Sequence, residues 1–300
     1  MIVICGPTAT GKTAFAMRLA EDFNGEIISA DSMQVYRHMD VGTAKPTAEE
    51  QARVRFHAVD VVEPNDTFSA GRFRDLAQEA TRDIVARGKV PVVAGGTGLY
   101  IKALTKGLFE GPRADQTLRA KYKAAEAVEP GCLHRRLQEI DPERAREVHP
   151  ADYVRIERSL EVFDLTGKPI SIWQQEHQFA ERAYDVLKIG LDRPRKDLAA
   201  ACDLRVKQMM AHGWLDEVRR LRGMGYGPNL PSQAAIGYKE LHQFLDGAIS
   251  LADAVERTQT ATRQFAKRQR TWFGTDEEIH WFFAGPDLVK ARAEVARFLG

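Results

Sequence analysis

The sequence predicts an α/β protein: a parallel sheet flanked by helices, interrupted by an all-helical insertion. Three observations carry the prediction. A glycine-rich loop joins an apolar run to a helix-forming stretch, further apolar runs alternate with amphipathic helical pattern, and the middle third of the chain is almost wholly helical in pattern.

Ile2-Val3-Ile4-Cys5 is the first expected strand and stops at Gly6; a helix follows over 13–22. A second strand is expected over 26–30. An amphipathic helix over 69–86 leads into a third strand over 90–94, and this alternation calls for right-handed crossovers between parallel strands. Gly111-Pro112 breaks the pattern. Residues 114–184, rich in Arg, Glu and Leu, form the expected helical insertion, so that 1–113 and 185–300 make up one core. The apolar run 185–191 resumes the sheet, and helices rich in basic residues are expected from there to the end.

Composition narrows the class. With 300 residues, 44% hydrophobic and 28% charged, the chain can bury a large core and is not of the disordered type. No stretch has the length of a membrane span or the layout of a signal peptide, so a cytoplasmic protein is expected. Cys5, Cys132 and Cys202 are widely spaced, which argues against a disulfide framework or a zinc site. The net charge of +1 conceals a segment, 257–275, that carries Arg257, Arg263, Lys267, Arg268 and Arg270 with no acidic residue.

The sharpest motif is Gly6-Pro7-Thr8-Ala9-Thr10-Gly11-Lys12-Thr13, which fits G-x-x-x-x-G-K-S/T between an expected strand and an expected helix. Backbone N–H groups of such a loop curl into an anion nest, the helix N-terminus adds its positive end, Lys12 adds a charge, and the Thr13 hydroxyl can hold Mg²⁺. A loop of this kind ordinarily serves phosphoryl transfer, which places a carboxylate at the end of a neighbouring strand. Here the strand over 90–94 runs into Gly95-Gly96-Thr97, and the acid at a strand end is Asp31. From the residues alone Asp31 admits two roles, a magnesium partner or a general base.

The run Gly6 to Thr13, Ser29-Ala30-Asp31-Ser32-Met33-Gln34-Val35-Tyr36, Gly42-Thr43-Ala44-Lys45-Pro46 and Ala94-Gly95-Gly96-Thr97-Gly98-Leu99-Tyr100 resemble the tRNA dimethylallyltransferases. Arg158-Ser159-Leu160-Glu161-Val162, Ile236-Gly237-Tyr238-Lys239-Glu240 and Lys267-Arg268-Gln269-Arg270-Thr271-Trp272-Phe273 continue the resemblance in the family's order. It implies a P-loop NTPase-like fold turned to prenyl transfer. The pyrophosphate of dimethylallyl diphosphate would sit in the loop with Mg²⁺, and the N6 amine of the adenine 3′ of the anticodon would attack the allylic carbon. By the same resemblance Asp31 accepts the amine proton, Thr97 hydrogen-bonds near the bridging oxygen, and Lys12 stabilises the departing diphosphate.

For the tRNA anticodon stem-loop, the resemblance assigns Asp31, Ser32, Met33, Gln34 and Thr97 to the base pocket. It assigns Arg119, Val154, Arg155, Ile156, Glu157 and Arg158 to contacts from the insertion. Lys267, Arg268, Gln269, Arg270, Thr271, Trp272, Phe273 and Gly274 form a basic and aromatic grip suited to phosphates and splayed bases. Arg205 is expected at the pyrophosphate, although for Arg119 and Arg205 a solvated helix arginine is an equal reading. Ala151, Ala201, Ala234 and Phe56 depart from the family pattern, and none of them falls on the loop, Asp31 or Thr97. A monomer of bacterial type is the family expectation. A small-molecule P-loop kinase, a non-catalytic RNA-binding protein and an isopentenyltransferase acting on free adenylate are the alternatives. The basic block near 267 disfavours the kinase, intact Lys12 and Asp31 the binding protein, and Arg155 with Arg158 the free nucleotide.

Overall fold

The computed structural model describes residues 1–109, 111–177 and 183–300. Position 110 and residues 178–182 of the expected insertion lie outside the described residues. Contacts divide the chain into two units, Met1–Thr105 with Ala183–Gly300, and Lys106–Arg182.

The first unit begins β1 (Ile2–Cys5), α1 (Lys12–Asp22), β2 (Gly25–Ser29), α2 (Ala48–Arg53), β3 (Phe56–His57), α3 (Ala70–Ala86), β4 (Val90–Ala94) and α4 (Gly98–Lys106). The second unit carries α5 (Gln116–Val128), α6 (Cys132–Ile140), α7 (Pro142–Glu147), α8 (Tyr153–Thr166) and α9 (Ile170–His177). The chain then adds β5 (Leu187–Asp192), α10 (Arg195–Ala211), α11 (Trp214–Gly223), α12 (Tyr238–Leu245), α13 (Leu251–Phe273), β6 (Ile279–Phe283) and α14 (Leu288–Leu299) to the first unit.

All six strands are parallel, in the order β3-β2-β4-β1-β5-β6. Helices cover both faces, so the strands are apolar on both sides. Ile2, Ile4, Ile27 and Val92 pack on one face with Phe15, Leu19, Ala291 and Val295 of α1 and α14. Val3, Cys5, Ile28 and Val93 pack on the other with Phe73, Ile84, Ile101 and Leu104 of α3 and α4. Each such fully buried Ile, Leu, Val or Phe contributes roughly 1.5–3 kcal/mol. β1 lies between β4 and β5, so the chain's direction of winding reverses beside it, and the C-terminal ends of β1, β2 and β4 open onto one crevice.

The expected strands at the start of the chain and at 90–94 and 185–191 form, with ends shifted by at most two residues. Two strands escape the pattern. β3 has only two residues, too short for a period, and β6 is an edge strand on which Ile279 is buried while Trp281 and Phe283 are exposed. The segment after 191 is therefore not helical throughout; β6 pairs with β5 from Lys188↔Ile279 to Asp192↔Phe283.

A third cluster fixes the loop after β2. Met39, Val35 and Val62 pack against Trp214, Val218, Tyr238 and Leu241 of α11 and α12. Buried Glu217 accepts the N–H groups of Asp40 (2.9 Å), Val41 (2.7 Å) and Gly42 (3.2 Å) and the hydroxyl of Tyr238 (2.6 Å). One carboxylate thus sets the path of the loop that becomes a wall of the crevice. Within the second unit, Tyr122, Leu133, Leu137, Ile156 and Leu160 make a small separate core. Among the described residues no helix is long and apolar enough to cross a membrane.

Candidate active site

β1 delivers the chain directly into the glycine-rich loop. Gly6 has φ 125°, and a Cβ there would lie 2.2 Å from the carbonyl oxygen of Leu191 on β5, so only glycine lets the loop leave between these strands. Ala9 (φ 63°) and Gly11 (φ 84°) complete the curl, and Gly11 caps α1 without a side-chain acceptor. The Thr10 hydroxyl braces the turn by donating to the Pro7 carbonyl at 3.0 Å. Among the described residues the N–H groups of Ala9, Thr10, Gly11, Lys12 and Thr13 have no protein acceptor. They converge at the positive end of α1, the arrangement an oxyanion satisfies.

Two cations stand over the nest without a counter-ion among the described residues. Lys12 Nζ donates only to the Pro7 carbonyl, at 2.5 Å, and half-buried Arg205 of α10 has no hydrogen-bond or ion-pair partner among the described residues. Burial and the facing Arg205 charge bring the Lys12 pKa down to about 8, with Asp31 opposing. Burial likewise lowers that of Arg205, again against the pull of Asp31. Uncompensated positive charge in a partly dry pocket favours a polyanion.

The other half of the crevice comes from β2 and β4, which pair with Ser29 opposite Ala94. That register places Asp31 and Thr97 side by side, although 65 residues separate Ser32 from Thr97. Asp31 Oδ1 accepts the N–H groups of Met33 (2.8 Å) and Gln34 (3.3 Å), which locks the carboxylate and leaves Oδ2 without a protein partner among the described residues. Thr97 Oγ1 accepts the N–H of Ser32 at 3.0 Å, so its own proton is free to be donated. A fixed acceptor and a fixed donor therefore face the same space. Loop, Asp31, Gly95, Gly96 and Arg205 line a cavity of about 1080 Å³.

The sequence reading left out much of the cavity's far wall. Asp40, Lys45, Asp60 and Glu50 form it, and buried Lys45 is held by Asp40 and Asp60 (2.6 Å each) and by the Tyr36 carbonyl (2.8 Å). Lys45 belongs to a recognised motif but had no role there. Gln208 and His212, the residue that caps α10, continue the stripe of Arg205, a spacing that only the helix phase reveals.

Several expected RNA contacts occupy the interior instead. Gln34 is 7% exposed and its amide is used within the fold, accepting from the Ser29 hydroxyl and donating to the Thr43 and Ala44 carbonyls. Phe273 is 3% exposed in the core beneath α3 and α4, because it lies on the inward stripe of α13 with Ala266 and Gln269. It cannot stack on a base. Trp272, one position on, is 44% exposed and lies against Gly98, where a Cβ would sit 2.0 Å from its Nε1. Of the two aromatics, Trp272 is the one with an exposed ring beside the Gly98 that follows Thr97. Among the described residues Lys267 and Arg268 are unpaired with acids, whereas Arg270 is held by Asp192 at 2.6 Å. The Thr271 hydroxyl returns to the Lys267 carbonyl, and the Gly274 N–H closes the helix on Arg270.

In the second unit, Arg119 and Arg158 both converge on Glu161, which is wholly buried. Arg119 makes a two-pronged pair at 2.8 and 3.0 Å, and Arg158 bonds at 2.5 Å and to the Pro112 carbonyl at 2.9 Å. These bonds hold the Glu161 pKa down to about 2 against the opposing effect of its burial. Arg119 is therefore committed to holding α5 against α8, and Arg158, on α8 itself, to bracing Glu161 and the segment at Pro112. Ile156 is core at 2% exposed and Glu157 is buried, while Val154 (72% exposed) and Arg155 remain on the surface.

The chain matches the IPP transferase family over residues 34–276. It is 48% identical over 301 residues to a tRNA dimethylallyltransferase 2 of Syntrophus aciditrophicus, covering all of this chain and 95% of that one. Over 282 residues it is 48% identical to a tRNA dimethylallyltransferase of Geobacter sulfurreducens, covering 94% and 91%. Among solved structures it resembles the tRNA isopentenylpyrophosphate transferase of Bacillus halodurans (TM-score 0.74, 38% identity, covering 99% and 96%). A eukaryotic dimethylallyltransferase acting on tRNA superposes with TM-score 0.82 at 30% identity, covering 99% of this chain and 77% of that one. A nest with no carboxylate at the end of β4, a fixed Asp31–Thr97 pair beside it and similarity along the whole chain agree: this protein belongs to the IPP transferase family.

Proposed function

We propose that the protein is a tRNA dimethylallyltransferase, which moves the dimethylallyl group of dimethylallyl diphosphate to the N6 amine of the adenine 3′ of the anticodon and releases diphosphate. The observation that carries it is the pairing of two unlike half-sites at one cavity: N–H groups without a partner among the described residues, with Lys12 and Arg205, on one side, and Asp31, backed by Thr97 through the Ser32 N–H, on the other.

The first half-site binds the donor. Negative charge grows on the diphosphate as the allylic C–O bond breaks, and the nest, Lys12 and Arg205 are already oriented towards it, so the leaving group is stabilised without reorganisation. Thr97 donates its proton towards the bridging oxygen. At the second half-site Asp31 Oδ2 takes the amine proton as the new C–N bond forms; the turn through Met33 and Gln34 keeps that oxygen in place. The exposed indole of Trp272, next to Gly98, supports a neighbouring unstacked base, and Lys267, Arg268 and Arg155 supply phosphate contacts.

Among the described residues there is no group of three or more His, Cys, Asp or Glu able to hold a metal. The Thr13 hydroxyl, which has no partner among the described residues, would hold a Mg²⁺ that came with the diphosphate, since this ion takes few protein oxygens. When bound, it neutralises charge on the diphosphate. A phosphoryl-transfer reading finds less support from the residues: β4 ends in glycines, and Asp192 at the end of β5 is engaged by Arg270.

The test is mass spectrometry of nucleosides from unmodified tRNA incubated with protein, Mg²⁺ and dimethylallyl diphosphate, with parallel tubes holding AMP as acceptor or ATP as donor. An isopentenyl mass on adenosine of tRNA, without need of ATP, is the expected result. Product on AMP but not on tRNA, or phosphorylation in the ATP tube alone, overturns the proposal.

A further inference from the structure

We propose that Gln269 is a positioning residue that ties the diphosphate nest to the turn carrying Thr97 and so sets the distance between donor and acceptor. It lies on α13, in the stripe of buried positions Ala254, Thr258, Ala266, Gln269 and Phe273. Its neighbours on that stripe are apolar and pack as expected: Ala266 against Leu198, Cys202 and Ala9, and Phe273 in the core of the sheet. A polar amide at 7% exposure between them needs a reason.

The reason is geometric. Gln269 Oε1 accepts the N–H of Thr8 at 2.8 Å, and Nε2 donates to the carbonyl of Gly96 at 2.9 Å. Thr8 belongs to the nest, and Gly96 immediately precedes Thr97. One planar amide therefore spans the gap between the two half-sites, using one donor and one acceptor at once. Glutamate lacks the donor and leucine lacks both, so neither can replace it. Gly96 is shaped to admit it, since a Cβ there would lie 2.2 Å from Nε2. Thr8 is moreover the nest N–H that an anion does not need: it is already bonded, while those of Ala9 to Thr13 remain open. Gln269 thus acts on the frame of the site rather than on either substrate, in contrast to the RNA contact its place in the basic block implies. Transfer requires reacting atoms held within about 3–3.5 Å, and a displacement of about 1 Å costs about 10²-fold in rate.

The inference rests on the transfer reaction proposed above, so wild-type protein is assayed alongside; absence of transfer there refutes that reaction rather than the role of Gln269. Gln269→Leu removes both bonds. Gly96→Ala keeps every atom of Gln269 but pushes its amide away. Single-turnover transfer at saturating tRNA and dimethylallyl diphosphate, pyrophosphate affinity, tRNA affinity and thermal unfolding are measured for both and for the double variant. Each single variant is expected to be slowed by about 10²-fold with both affinities within about threefold of wild type, and the double variant to be no slower than the slower single, because the two changes break the same link. Wild-type rates, or losses that multiply in the double variant, overturn the proposal. A defect confined to tRNA affinity and cured by saturating tRNA overturns it too, and makes Gln269 an RNA contact. If Gln269→Leu does not fold, Gly96→Ala compared with Gly96→Ala/Gln269→Ala decides: smaller alanine at 269 relieves the clash, so the second change must cost nothing further.

Discussion

Replacing Asp31 by asparagine separates the chemistry of this side chain from its structural duty. Oδ1 holds the turn through the N–H groups of Met33 and Gln34, a task the amide oxygen of Asn performs equally well, so the fold around the crevice is retained. What disappears is the acceptor at Oδ2, where an NH₂ group now faces the amine of the adenine. General-base catalysis contributes about 10²–10⁴-fold, equivalent to about 3 to 5 kcal/mol of barrier, and transfer falls by that factor. The Asp31 charge, which raises the pKa of Lys12 and of Arg205, is lost as well, so the comparison is made well below pH 8, where Lys12 stays charged and the change removes only a repulsion on the diphosphate. Pyrophosphate therefore binds as tightly as to wild type or more tightly. Rapid-quench single-turnover assays report the rate, and titration calorimetry with pyrophosphate and Mg²⁺ reports the affinity. A rate within about tenfold of wild type removes Asp31 as the base, since the lower bound for such a group is about 10²-fold. A slow variant that has also lost pyrophosphate affinity places Asp31 on the donor side instead.

Three other outcomes follow from the same geometry. Lys12, with a pKa near 8 in the free protein, must be charged to hold an anion, so its contribution to pyrophosphate affinity, read as the difference between wild type and Lys12→Met, is full well below pH 8 and declines above it by up to about tenfold per unit; calorimetry in buffers of different ionisation enthalpy at pH 9 should show wild type taking up about one proton more on binding than Lys12→Met, and equal uptake would refute the assignment. Glu217→Ala strands three backbone N–H groups and the Tyr238 hydroxyl in a buried place and should cost about 3–5 kcal/mol in urea unfolding; a loss below about 1 kcal/mol means that the loop does not depend on this carboxylate. His242, buried between Arg222 and Gln233, has its pKa lowered to about 4, first by burial and then by the arginine. Between pH 6.5 and 4 the unfolded chain binds a proton that the native one refuses, so stability falls with falling pH by up to about 3 kcal/mol, and His242→Gln should flatten that slope.

Much of the site can be read along the chain because its chemistry is local. The anion nest needs consecutive residues of the right conformational freedom before a helix, and Gly6 to Thr13 meet that need whatever the rest of the fold does. Asp31 declares itself by standing where an apolar strand ends. Strands buried on both faces, such as β1 and β4, are continuous apolar runs and can be recognised by composition, whereas two-residue β3 and half-exposed edge strand β6 depend on a partner to exist at all.

Tertiary structure decided the rest, because facing is a matter of phase and register, which the residue types alone leave open. Trp272 and Phe273 are adjacent aromatics in one basic block, yet the phase of α13 sends one outward beside Thr97 and the other into the core. Arg119 and Arg158 carry the charge of an RNA contact, but a buried carboxylate attracts a guanidinium more strongly than a solvated phosphate can, and Glu161 captures both. The composition, the nest, Asp31 and the family were determined by the sequence by itself. The pairing of Asp31 with Thr97, the open guanidinium of Arg205 and the bridge made by Gln269 exist only once β2 pairs with β4 and α10 and α13 pack over the loop, since each joins groups that only folding brings within hydrogen-bond or Coulomb range.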